Sequence, residues 1–175
     1  MPLEMGDNIC YYDSVNWPAG EMHMTLTGYY FNATGTYAFY DGERGVCRVV
    51  DAPLQPIRIY RDEAVWTVSR DSLCVTDAHT GEEVARILRL SGRRFVIAMD
   101  GAAVTGRVIH RLLRNTIVYT DLDDEEVGRV EYRVDRSKSR GLSPQRYVAT
   151  VRGDDALIAA MLAAPFLDIK GIRVG

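Results

Sequence analysis

Gly153-Asp154-Asp155-Ala156-Leu157-Ile158-Ala159-Ala160-Met161-Leu162-Ala163-Ala164-Pro165 is the stretch whose reading decides the architecture. Asp154 or Asp155 caps its start and complements the positive helix end, strong helix formers fill the interior, and Pro165 stops it. The spacing predicts a helix over Asp154 to Ala164. From Ala156 to Leu167 no residue carries a charge or a hydrogen-bonding side chain, so such a helix has no polar face for water. It must be enclosed on all sides. Twelve residues rising about 1.5 Å each reach ~18 Å, short of a ~30 Å hydrocarbon core, so enclosure by protein is the better solution than a bilayer. The many alanines keep the rod slim, which suits the interior of a closed sheet.

The rest of the chain supplies that sheet. Short apolar runs separated by Gly, Asp and Asn predict strands from Met22 to Tyr30, Thr36 to Tyr40, Val46 to Val50, Ile57 to Arg61, Ala64 to Ser69 and Leu73 to Thr76. They continue from Val84 to Leu90, Arg94 to Met99, Arg107 to Leu112, Thr116 to Thr120, Val127 to Val134 and Arg146 to Arg152, with Phe166 to Val174 alternating as a last strand. Helices do not alternate with strands, which disfavours a parallel α/β sheet. The expected fold class is mainly β, a barrel of about twelve antiparallel strands around one buried apolar helix.

A hairpin pattern recurs. Leu73 to Asp77 turns and returns as Val84-Ala85-Arg86, Ile117 to Asp121 returns as Val127-Gly128-Arg129, and Phe39 to Asp41 returns as Val46-Cys47-Arg48. Each outgoing strand ends in an Asp able to bond the backbone of its turn, and each return strand has an Arg two residues after its first Val. These aspartates read as turn chemistry, not catalysis.

The 175 residues favour one domain, and a hydrophobic fraction of 47% with 26% charged residues is that of a globular chain. Net charge −3 exerts no global pull toward nucleic acid. Residues 1–53 carry seven acids against two arginines, so the later part is net positive and is where an anion-binding surface is expected. Nine of the sixteen aromatics lie in the first 40 residues. They read either as strands of the common core or as an arm lying on a partner, and Tyr11, Tyr12 and Trp17 are the candidate partner-binding residues. Residues 1–27 are set apart as an aromatic, acidic segment before a barrel domain of 28–175.

Cys10, Cys47 and Cys74 show no C-x-x-C pairing, which signals neither a disulfide framework nor zinc and fits a reducing, cytoplasmic compartment. The amino-terminal residues show no secretory pattern, and Asn32-Ala33-Thr34 reads as an unused sequon.

A barrel of this strand number threaded by a late apolar helix resembles the tubby-like fold, in particular the LURP-one-related proteins and the phospholipid scramblases. The residues carrying the likeness are Tyr37-Ala38-Phe39-Tyr40-Asp41-Gly42, the hairpins at Asp77 and Asp121, and the helix entry Gly153-Asp154-Asp155-Ala156. The resemblance implies a non-catalytic role: tubby domains bind phosphoinositides, and scramblases are associated with lipid movement and calcium.

Arg129, Arg133, Arg136, Lys138, Arg140 and Arg146 form the candidate anionic-lipid site, six basic residues against Glu131 and Asp135. The centre of this stretch, Asp135 to Pro144, reads as a polar loop. Each basic residue near an anionic surface contributes about 1 kcal/mol, while a solvated loop is the plainer alternative. Phosphorylation at Ser137, Ser139 or Ser143 would cancel the field. The acidic turn Asp121 to Glu126 fails the EF-hand template, with Glu126 at the sixth position and Tyr132 at the twelfth, and reads as a solvated hairpin tip. His23, His79 and His110 show no ligand spacing, His110 reads as a strand-surface residue, and nucleophile-elbow and phosphate-loop motifs are absent, so no metal, cofactor or catalytic residue is assigned. The expected function is a non-enzymatic binding or scaffold domain meeting a protein partner or an anionic membrane surface, not a membrane-spanning one. A structural subunit of a larger assembly, held by its aromatic amino-terminal segment, is the alternative.

Overall fold

The structure is a computed structural model that describes residues 23–31, 35–52, 54–90, 93–112, 114–134 and 144–167. Twelve strands form a closed antiparallel barrel in which each pairs with its neighbours in sequence, closed by pairing of the first and last. In chain order they are β1 (His23–Phe31), β2 (Thr36–Asp41), β3 (Arg44–Val50), β4 (Ile57–Arg61), β5 (Ala64–Val68), β6 (Cys74–Asp77), β7 (Glu83–Arg89), β8 (Arg94–Met99), β9 (Ala102–Arg111), β10 (Arg114–Thr120), β11 (Glu126–Val134) and β12 (Pro144–Arg152). β1 takes in residues on both sides of the expected 27/28 boundary.

The helix α1 (Asp155–Ala163) enters the lumen directly after β12, and every residue from Leu157 to Ala164 is buried. It packs against β4, β5, β7, β8, β11 and β12, strands spread around the wall. Asp154 is the cap: its carboxylate accepts the Leu157 amide at 2.8 Å. Asp155 instead pairs with the nearly buried Arg61 at 2.6 Å, which ties the first helical turn to the end of β4. At the corner before the helix, Gly153 has φ +138°, and a Cβ there would sit 2.7 Å from the Leu157 side chain.

Pro165 does not end the helical path at once. The chain tightens into a 3₁₀ turn over Ala164–Phe166 that carries Pro165 in its first residues, and Phe166 packs in that turn on Tyr37 with centroids 4.6 Å apart instead of opening a strand. The rest of the expected last strand, from residue 168, lies outside the described residues. Because Pro165 has no N–H, the Met161 carbonyl lacks its helical donor. The Tyr119 hydroxyl donates to it instead at 2.7 Å.

The three hairpins are related in structure as they are in sequence. Each has a register shift just before its Asp, between Phe39 and Tyr40, Val75 and Thr76, and Tyr119 and Thr120. Asp77 Oδ1 accepts from the amides of His79 and Thr80, and Asp121 Oδ1 from those of Asp123 and Glu125, as turn chemistry requires. Arg86 and Arg129 each fork onto the Glu three residues earlier, whereas Gly45 occupies that place in the third copy and Arg48 lies over the Tyr60 ring, 5.0 Å from its centroid. The buried residue between Val and Arg is small each time: Cys47, Ala85 and Gly128. At Gly128 a Cβ would meet Met161 Sδ at 3.0 Å. On β7 and β11, strands that the helix packs against, the small residue leaves the lumen room for it.

The largest departure from the expected strand boundaries is in β9. β9 begins at Ala102, because Ala102-Ala103-Val104-Thr105-Gly106 is weak in strand formers and is held by pairing with β8. His110 on that strand is partly buried. It shares the inward parity of Val104 and Val108, and its Nδ1 lies 2.6 Å from Asn115 Oδ1.

Candidate anionic-surface site

The antiparallel meander sorts the turns into two ends. Odd strands run from the end where the helix enters to a far rim, so the turns after even strands cluster at the entry end and those after odd strands at the rim. The entry-end turns are acidic: Asp41 and Glu43, Asp62 and Glu63, Glu82 and Glu83 beside Asp77, Asp100, and Asp121 through Glu126, with Asp154 and Asp155 at the helix start. Arg152, itself buried, approaches Asp121 and Glu125 at 3.9 and 3.8 Å.

The far rim and the wall beside it are mainly basic, the acids of its described turns being Asp51, paired with Arg70, and Asp71. Arg94 on β8 sits directly opposite Arg107 on β9, and Arg111 on β9 directly opposite Arg114 on β10. The last row continues in backbone register through Arg133 on β11 to Arg146 on β12. Like charges directly opposite on neighbouring strands destabilise a sheet. Arg114 is compensated by Glu131 at 3.1 Å and Arg129 by its two-pronged bond to Glu126 at 2.9 Å. Arg93, Arg94, Arg107 and Arg111 are exposed and make no ion pair among the described residues.

Distance decides whether the rim acts independently of the acidic end. Seven-residue strands such as β7 and β10, at ~3.3 Å per residue and ~40° tilt, hold the ends roughly 18 Å apart. Screening falls off over ~10 Å at 0.1 M salt, so a ligand at the rim meets a basic surface despite the chain's negative net charge.

Of the residues expected from sequence, Arg129 is largely committed to Glu126, and Arg133 and Arg146 fall in the row just described. Arg136, Lys138 and Arg140, the serines of that loop, and Tyr11, Tyr12 and Trp17 lie outside the described residues. Tyr37 and Phe39 are buried core residues of β2. Sequence reading missed Arg94, Arg107, Arg111 and Arg114, which join the site only through strand register. It also missed the leucines at the rim, although the bracketing was present in Arg111-Leu112-Leu113-Arg114 and in Arg89-Leu90-Ser91-Gly92-Arg93-Arg94.

The lumen offers different chemistry. At its rim-side end Asn115 lies between His110 and Tyr132, its cross-strand partners, and the amide oxygen accepts from His110 Nδ1. Burial pushes the Tyr132 phenol up to about 12, a bond to Asn115 working against it, and drives Tyr119 well above its ordinary value. Burial likewise raises the Cys47 thiol to about 12, against the pull of Arg61 and Arg48. These shifts hold protons on buried groups and activate no nucleophile. Cys47 and Cys74 are free thiols.

Among the described residues no helix is long and apolar enough to cross a membrane. The barrel wall exposes arginines outward and packs apolar side chains inward around a helix, the inverse of a spanning barrel with an apolar belt and a polar lumen. The chain matches no protein-family model, no curated protein and no solved structure.

Proposed function

We propose that this protein is a non-enzymatic, tubby-like binding domain that docks reversibly on anionic phospholipids or phosphoinositides through the arginines of its far rim and of β8–β11. The supporting observation is the juxtaposition of Arg94 and Arg107, with Arg111 exposed nearby opposite the Glu131-paired Arg114. An arrangement that costs the free protein stability becomes favourable when phosphate oxygens sit between the guanidinium groups, which bind them as forks. The tubby-like resemblance supports the same reading, as does the run of basic residues Arg136, Lys138 and Arg140 in the sequence that joins β11 to β12.

Flotation with neutral, phosphatidylserine and phosphoinositide vesicles tests it. The wild type floats with the anionic vesicles only, and raising salt releases it. With about 1 kcal/mol for each basic residue at the surface, Arg94→Glu, Arg107→Glu and Arg111→Glu together weaken binding by at least a hundredfold. These positions are exposed, so the fold is retained. A wild type that ignores anionic vesicles and runs at a native mass far above 19.6 kDa refutes the lipid reading in favour of a structural subunit.

A further inference from the structure

The far rim carries apolar side chains as well as arginines. Leu54 in the β3–β4 turn is fully exposed, Leu112 in the β9–β10 turn is 85% exposed, and Leu90 just after β7 is 42% exposed. All three lie at the basic end. Leu90 lies in sequence between Arg89 and Arg93 and Leu112 between Arg111 and Arg114, while Leu54 projects from a turn whose backbone is bonded by Arg70. They occupy three separate places around the barrel's circumference, so together they define a plane across its end.

Leu54 is the most informative of them. It has φ +61°, a left-handed conformation that costs a residue other than Gly, Asn or Asp about 1 kcal/mol or more. No packing offsets this, since the side chain is fully exposed. The loop is nonetheless well held: Arg70 donates to the Asp51 carboxylate, to the Ala52 carbonyl at 3.1 Å and to the Gln55 carbonyl at 2.7 Å. A partly buried guanidinium clamp thus holds a loop that presents a leucine to solvent in a strained conformation, which the core does not call for.

We infer that the barrel stands end-on on an anionic bilayer, with Leu54, Leu90 and Leu112 entering the interfacial region while the arginines around them meet lipid phosphates. This rests on the lipid reading above and adds an orientation and an apolar anchor to it. The acidic entry end favours the same pose, because a negative surface repels it and attracts the rim. A second copy, its acidic end against this basic rim, is the competing occupant. Charge alone would satisfy that pairing, and the leucines would have no apolar counterpart among acidic turns.

The test uses the full chain with Leu54→Asn, Leu90→Ser and Leu112→Ser, singly and combined, on phosphatidylserine vesicles at 0.1 and 0.5 M salt. Partial burial of a leucine corresponds to roughly threefold in partitioning, so the triple variant binds on the order of thirtyfold more weakly, with the same factor at both salt concentrations. Leu54→Asn additionally raises the urea midpoint while lowering vesicle binding, opposite signs that a purely structural role would not give. Trp emission of Leu112→Trp is quenched by brominated lipid beyond that of the wild type. If the leucine variants bind as the wild type does while the arginine variants release, the end-on pose is overturned and the lipid reading stands. If the wild type binds no anionic vesicle, both fall. If the wild type self-associates and the leucine variants are monomeric with unchanged vesicle binding, the rim is an interface between copies and the inference is overturned.

Discussion

Replacing Gly106 by alanine separates local preference from tertiary packing, because the two predict opposite signs. Glycine inside a strand is worse than alanine by roughly 0.5–1 kcal/mol, so propensity alone says that Gly106→Ala stabilises β9. The structure says otherwise. The Phe95 ring, directly across on β8, lies over Gly106, and a Cβ there would come within 2.3, 2.6 and 2.7 Å of three of its carbons. That is more than 1 Å inside the ~3.5–4.0 Å of a good carbon contact. The ring has no room to retreat. It is fully buried and meets Tyr119 edge-on at 5.9 Å, while Tyr119 is bonded to Met161 of the central helix. Overpacking of this kind costs about 1–3 kcal/mol, and the tightness of the approach places Gly106→Ala near ~3 kcal/mol destabilised, a fall in Tm of roughly 6–12 °C. Urea unfolding measures it. Phe95→Leu removes the obstructing carbons, so the double variant recovers ~1–2 kcal/mol relative to the sum of the singles. A Gly106→Ala protein as stable as the wild type, or a strictly additive double variant, would refute the reasoning.

Two further expectations concern the lumen. Tyr119→Phe leaves the Met161 carbonyl buried without its donor and costs about 1–3 kcal/mol in chemical unfolding, and adding Pro165→Ala, which restores an N–H four residues on, recovers part of that loss. Alkaline stability follows from groups whose neutral forms the fold protects. For Cys47 the folded value is raised from 9.0 to about 12, so its contribution is complete below pH 9 and is lost as pH rises from 9 toward 12. Tyr132, raised from 10.0 to about 12, adds to the decline over the upper part of that window. Unfolding free energy measured from pH 8 to 12 therefore falls steeply above pH 9, and Cys47→Ala flattens the first part of the curve.

Much of the barrel is legible in the sequence by itself, for identifiable reasons. A helix with no polar face has to be enclosed, and a chain otherwise made of short strands encloses it only by closing its sheet. The Asp-ended hairpins are legible too, since their turns are built by side chains bonding the backbone within a few residues. Tertiary structure decided what depends on register and on long-range contact. Gly106 reads as a weak strand position until Phe95 is seen lying on it, and Pro165 reads as a full stop until Tyr119 supplies the donor it lacks. The basic site shows the same division. The stretch from Arg129 to Arg146 is evident as a local run, but Arg94, Arg107, Arg111 and Arg114 are brought into one field only by strand pairing. The segregation of acidic turns from arginine-bracketed leucines exists only once an up-and-down meander has sent alternate turns to opposite ends.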